Sequence, residues 1–153
     1  MRVGVIFLIR MAAPEDVTGL TELMYEYIVD FYKNPGPPVE KVHHLIQTLF
    51  DNQQGKQFVL EDNGQLVGFA TLYFTFSTMK ADKIAVMNDL YVKEAYRNSE
   101  LESQLYLTCK NYCTEQGYAN MTWITSVNNK RAQAFFKEMN AVQGKDWVHF
   151  SIY

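Results

Sequence analysis

Apolar positions along the chain change period several times, and each change marks an element. Residues 3–9, VGVIFLI, are a continuous apolar run closed by Arg10, and Ile6 to Met11 reads as a first strand. From Pro14 the spacing becomes helical: Val17, Leu20, Met24, Tyr27, Ile28 and Phe31 recur every three or four positions. Pro14 suits a first helical turn, where its missing N–H costs nothing. NPGPP, Asn34 to Pro38, breaks regularity and predicts a loop. Val39, Val42, Ile46 and Leu49 mark a second, shorter helix.

QFVLED and QLVGFATLYFTFS then read as two strands joined at Asn63-Gly64, a strong hairpin signal. KIAVMNDLYV is a further strand. Ser99 to Gln116 is a helix with Leu101, Leu105, Cys109 and Tyr112 inward, stopped by Gly117. NMTWITSV predicts a strand, Asn129 to Met139 a helix with Ala132, Phe135, Phe136 and Met139 inward, and WVHFSIY a closing strand. The order is β-α-α-β-β-β-α-β-α-β, an α/β (α+β) class with a central, mostly antiparallel meander flanked by helices. The β-α-β piece from about Ile84 to Val127 is expected to place two strands in parallel.

Composition narrows the class. The 153 residues suffice for one compact domain, expected over 1–153. Net charge is -3, so no broad basic surface for neutralising phosphates is implied, and nucleic acid is not an expected partner. The N-terminal apolar run is too short to span a bilayer and lacks a small-residue cleavage pattern, so a strand is expected there, with no membrane partner. Cys109 and Cys113 fall four apart on one helix and read as buried thiols, which fits a reducing, cytoplasmic setting.

The stretches IRMAAPEDVTGLTEL, GFATLYFTFSTMKADKIAVMNDLYVKEAYR, NNKRAQAFFKEMNA and DWVHFSIY, in this order of elements, resemble the GNAT superfamily of acyl-CoA-dependent N-acetyltransferases. Within it the chain is most similar to the diamine (spermidine/spermine-type) branch. The resemblance covers nearly the whole chain. It implies a GNAT-like fold with acetyl-CoA as co-substrate and no metal. Leu90, Tyr91 and Val92 would hold the pantetheine arm through their backbone. Arg97, Asn98, Ser99, Glu100, Leu101, Glu102 and Ser103 would face the pyrophosphate at a helix N-terminus, where free N–H groups and the dipole favour an anion. Asn129 and Phe136 correspond to positions near the co-substrate. Asp89, with Asn88 beside it, would orient the amine or a relay water. Glu26, Asp30 and Trp123 would join Asp89 around a small amine.

The chain departs from the family pattern at several of these positions. Where the family's loop carries glycine, this chain has Asn98, Glu100 and Glu102. Ser99-Glu100-Leu101-Glu102 reads instead as a Ser-x-x-Glu capping box, with Ser99 bonding the N–H of Glu102 and Glu102 reaching back to Ser99. Phe136 stands where many relatives have a proton-donating tyrosine, and Asn88 where the diamine branch commonly has glutamate. Two readings stay open for several residues. Asp89 either binds an amine or bonds nearby backbone, Glu26 and Asp30 either line a pocket or coat a solvated helix face, and Asn129 is equally a helix N-cap. His43, His44 and His149 suggest no metal site.

The leading expectation is acetyl-CoA-dependent N-acetyl transfer to a small primary amine. The alternatives are a GNAT-fold binding or dimerisation module that has lost catalysis, and a binder of free polyamine. The resemblance further implies a possible homodimer through the last strand.

Overall fold

A computed structural model describes residues 7–153. The chain divides into two compact units, Met1–Trp123 and Ile124–Tyr153. The first carries a five-stranded sheet in the order β1-β2-β3-β4-β5. These are β1 Phe7–Met11, β2 Gly55–Asp62, β3 Gln65–Ser77, β4 Asp82–Val92 and β5 Met121–Thr122. The expected first strand is present from Phe7 onward; Ile6 and the start of VGVIFLI lie outside the described residues.

β1 to β4 pair antiparallel. The β2–β3 turn is made as its sequence demands, with φ of 49° at Asn63 and 80° at Gly64. That is the doubly left-handed turn that matches strand twist. β5 runs parallel to β4, as expected of strands joined through a helix, here α3 Glu100–Glu115.

Strand alternation sends side chains to two covered faces. Val59, Phe69 and Tyr91 pack with Leu20, Leu23, Met24, Val42 and Ile46 of α1, Val17–Tyr25, and α2, Val39–Thr48. On the opposite face Phe58 meets Tyr112 of α3 edge to face at 5.8 Å. Leu105, Cys109 and Cys113 of α3 are buried. The first helix differs from expectation at both ends. Pro14–Asp16 is a tighter 3-10 turn, and Glu26–Phe31 widens into a π-helix. Such a π turn accommodates an extra residue and is frequent at functional sites.

Two expected strands need correction. NMTWITSV forms only Met121–Thr122, paired with Ala85 and Val86. WVHFSIY forms no strand, and Val148, Phe150 and Ile152 are exposed. Alternation in a sequence shows a capacity for strand, but a strand also needs an edge to supply its hydrogen bonds. The second unit consists of α4, Lys130–Glu138, and irregular flanks. Asn129 caps α4 by accepting the Ala132 N–H at 3.1 Å. Gln133 Nε2 donates to the carbonyls of Ser126 and Val127 at 3.0 and 3.1 Å, which ties the approach segment to the helix.

Candidate active site

The site is organised by one extra residue in β4. Thr71 of β3 pairs with Asp89 and Leu72 pairs with Met87, so Asn88 is a β-bulge. A bulge shifts the side-chain parity of everything after it. Val86, opposite Tyr73, points to the same face as Asp89, opposite Thr71. Were Asn88 paired as an ordinary ladder residue, alternation would put the Asp89 carboxylate on the α3 face. As a bulge, Asn88 lets Asp89 join Thr71, Tyr73 and Tyr91 beneath the α1 side of the sheet.

There Asp89 is hemmed in by donors. Thr71, Asn88 and Tyr27 all hydrogen-bond its carboxylate, Asn88 Nδ2 at 3.2 Å. Thr71 is fully buried, and its hydroxyl accepts from Gln57 Nε2 at 3.1 Å. That bond leaves the Thr71 proton to point at Asp89, so Gln57, Thr71 and Asp89 form a directed chain. Burial pushes the Asp89 carboxyl above the usual carboxylate range, against the opposing pull of its three donors. Burial, then the charge of Asp89, pushes the Tyr27 hydroxyl upward as well. The same two causes push Tyr73 up to about 12. Asp89 is therefore a half-buried carboxyl with donors already fixed, suited to receive one further N–H.

The bulge also sets which backbone groups are available. Before it, Ala85 N–H donates to Asn120 and Lys83 C=O accepts from Ala119, both toward β5. After it, Lys93 N–H donates to Val67 of β3. Alternation therefore turns the polar groups of Leu90 and Val92 to the β5 edge and those of Tyr91 to β3. The β4–β5 ladder ends at Val86 and Thr122, six residues before β4 does. Leu90 and Val92 thus present an open strand edge. One of its groups is taken: Arg97 Nε donates to the Val92 carbonyl at 3.1 Å. Tyr91 contributes its ring to the core instead of its backbone to this edge.

The loop into α3 does not form the expected capping box. Ser99 makes no side-chain bond to the helix, and its hydroxyl donates to the Tyr96 carbonyl. Glu102 does reach back, but to the N–H of Asn98 at 3.0 Å, and it is buried. The cause is Asn98, whose φ of 56° turns the chain left-handed and offers its own N–H to Glu102. Ser103 N–H reaches the Ser99 carbonyl at 3.3 Å, while the N–H groups of Glu100 and Leu101 find no acceptor among the described residues. The helix start is left able to receive an anion. Glu100 is exposed at its rim.

The remaining candidates separate. Glu26 is engaged: Tyr91 Oη donates to it at 2.8 Å and Lys93 Nζ at 3.1 Å. Burial, then the bond to Glu26, pushes Tyr91 up to about 12. The Arg97 guanidinium lies 5.0 Å from the Phe31 ring centroid and 5.5 Å from that of Tyr91. Asp30 is exposed and makes no ion pair among the described residues. Glu26 is thus committed to Tyr91 and Lys93, while Asp30 lies exposed at the end of the same π turn. Trp123 packs edge to face on Tyr106 at 5.7 Å. In the second unit, Asn129 is the N-cap described above and Phe136 packs against Phe135 at 5.5 Å. Burial raises both cysteine thiols, Cys113 to about 11, so neither is a ready nucleophile. Tyr27, Thr71 and Gln57 were missed from sequence. A signal existed for Tyr27, because a hydroxyl on a core stripe must find a partner.

The family model for "Acetyltransferase (GNAT) family" matches residues 20–141. The chain belongs to the GNAT acetyltransferase family. A curated relative, an uncharacterized N-acetyltransferase, YhfO, of Bacillus subtilis (strain 168), is 24% identical over 144 residues, covering 94% of this chain and 95% of its own length. Solved structures share the fold of this GNAT chain. A probable acetyltransferase superposes with a TM-score of 0.82 at 22% identity, covering 95% of this chain and 97% of its own. The aminoglycoside N-acetyltransferase AAC(6')-Iy, in complex with CoA, superposes with a TM-score of 0.83 at 15% identity, covering 99% and 98%. Among the described residues, no helix of this GNAT protein is long and apolar enough to cross a membrane.

Proposed function

We propose that the protein transfers an acetyl group from acetyl-CoA directly to the primary amine of a small molecule. The reading rests above all on the bulge, which with one residue sets a half-buried carboxyl, Asp89, beside a strand edge at Leu90 and Val92 that is open among the described residues. Leu90 and Val92 would take the pantetheine amides as an added strand would. The free N–H groups of Glu100 and Leu101 would take the pyrophosphate. The fit of this edge and helix start, with the CoA complex of a structural relative, supports acetyl-CoA as co-substrate.

In the reaction the amine nitrogen attacks the thioester carbonyl. The C–N bond forms, the C–S bond breaks, and the proton shed by nitrogen balances the departing thiolate. Asp89 accepts an N–H of the amine and orients its lone pair. Its three donors favour the carboxylate, against the burial that raises its pKa. The raised thiols of Cys109 and Cys113 speak against an acyl-enzyme, which supports direct transfer. The resemblance points to a diamine-like acceptor; Asp89 alone is placed to hold its reacting end.

The test is initial-rate kinetics with acetyl-CoA and a panel of primary amines, following free thiol and confirming product by mass. Intersecting double-reciprocal lines and a loss of at least a hundredfold in kcat/KM for Asp89→Asn are expected. Parallel lines, or full activity in Asp89→Asn, would overturn the reading.

A further inference from the structure

Among the described residues, one buried cation has no anion. Lys56, on β2, is 4% exposed and makes no ion pair. It lies on the α3 face of the sheet with Phe58, two residues along the strand, and with Met11, which pairs with Phe58 across β1 and β2. Its Nζ stands 4.7 Å from the Tyr112 ring centroid and 5.8 Å from that of Phe58. The one hydrogen-bond acceptor its ammonium reaches among the described residues is Met11 Sδ, at 2.9 Å. A thioether is a weak acceptor, so the demand of the ammonium for hydrogen bonds is poorly met.

Met11 meets solvent as well. β1 is an edge strand, Met11 is its last residue, and it is 47% exposed. One sulfur thus belongs to the surface and to the buried cation at once. A thioether placed in this way is open to a small peroxide. A sulfur lone pair attacks one peroxide oxygen, and the S–O bond forms as the O–O bond breaks. The sulfur loses two electrons, and the second oxygen departs as water with both protons of hydrogen peroxide. The unbranched side chain can then withdraw toward solvent, so that the new oxygen takes the place of the sulfur at Lys56. A sulfoxide usually disrupts a fold by setting a polar group among apolar ones. Beside Lys56 it meets a donor.

We propose that Met11 is a peroxide-sensitive modification site, and that its sulfoxide strengthens the fold by giving the Lys56 ammonium the oxygen acceptor it lacks. Return to the thioether takes a methionine sulfoxide reductase. The inference stands independently of the transfer reading.

The test uses the full chain. Met11→Gln sets an amide carbonyl where the sulfoxide oxygen would lie, and Met11→Leu removes the acceptor. With Lys56 present, Met11→Gln should melt roughly 3 to 6 °C above Met11→Leu, the shift that one hydrogen bond to a charged group gives a chain of this size. In a Lys56→Met background the order should reverse, because the amide then faces apolar groups alone. Limited hydrogen peroxide, followed by peptide mass mapping, should add one oxygen at Met11 ahead of the buried Met24 and Met87, and Tm should rise in step with that conversion. The same treatment of Met11→Leu should leave Tm unraised. A Met11 left unmodified while the exposed Met79 is converted, a Tm that falls as Met11 converts, or an order of the two Met11 variants that ignores Lys56→Met would each overturn the proposal.

Discussion

Glu100 and Glu102 sit two residues apart at the start of α3, and the structure gives them opposite roles. Glu100 is exposed at the rim of the helix N-terminus, whereas Glu102 is buried with its carboxylate on the Asn98 N–H at 3.0 Å. The perturbation is therefore two single variants, Glu100→Gln and Glu102→Gln. For a phosphate charge at ~6 Å from an exposed carboxylate, an effective dielectric of 40 to 80 gives a repulsion of about 0.7 to 1.4 kcal/mol. Glu100→Gln should therefore tighten acetyl-CoA about three- to tenfold, with most of the gain at low salt because an exposed pair is screened. Glu102→Gln weakens a charge-assisted bond from a buried carboxylate to a part-buried N–H. It should cost about 1 to 2 kcal/mol of stability and leave the affinity no better. Titration calorimetry at low and moderate salt, with urea unfolding of each variant, measures both numbers. Equal tightening by the two variants, or a stable Glu102→Gln with improved affinity, would refute the division of roles.

Other consequences follow from the same geometry. Thr71→Val removes a donor from Asp89, whose carboxyl is already raised, so the acid limb of the kcat/KM profile should move to higher pH and Thr71→Ser should restore it; the Gln57 amide left without its acceptor should cost about 1 to 3 kcal/mol in unfolding free energy. Deleting Asn88 closes the bulge but leaves Asp89 opposite Thr71 on the same face, so, like Asn88→Ala, it should cost Asp89 one donor, move the acid limb of the kcat/KM profile to higher pH and retain most of the transfer. Lys56 is buried, with its Nζ 2.9 Å from Met11 Sδ and 4.7 Å from the Tyr112 ring centroid, and it has no ion pair among the described residues. Lys56→Met should stabilise the protein by about 1 to 2 kcal/mol at neutral pH. Burial lowers the Lys56 pKa, so between that value and 10.5 the unfolded chain binds more protons and native stability rises with pH. The advantage of methionine should shrink across that window, and thermal unfolding at several pH values reads it.

Elements with a strong local signal were legible in the sequence. The helical stripe from Val17, the Asn63-Gly64 turn and the parallel placement of β5 all stand as the pattern predicts. The closing strand expected from the alternation of Val148, Phe150 and Ile152 does not form, and among the described residues no strand pairs with that segment. Asp89 and the Leu90–Val92 edge were visible through the family resemblance. Their geometry was not, since a bulge depends on how two strands register, a property of the pair and of neither strand alone. Glu26 shows a related limit. Helical spacing placed it one turn from Asp30, but Tyr91 and Lys93, distant in sequence, determine what its carboxylate does.

The absence of glycine from the α3 loop looks, in sequence, like the loss of an anion site. The backbone says otherwise. A glycine there can supply left-handed φ or allow close approach, and only the first is a conformational need. Asn98 has φ of 56°, a region that asparagine enters more readily than other residues with a side chain. The turn is therefore made without glycine, and Glu102 bonds the N–H that this turn exposes. Ser99 is drawn back to Tyr96, away from the helix it was expected to cap. One acid thus holds the loop in shape from below, and the serine leaves the first-turn N–H groups uncovered. What survives of the substitution is a single exposed charge at Glu100, which can weaken an anion's binding by the factor worked out above but does not occupy its place. An Asn98→Gly variant should keep the loop and the acetyl-CoA affinity within about threefold, because glycine adopts the same φ without strain. Asn98→Val should lose both, since a branched side chain resists that φ.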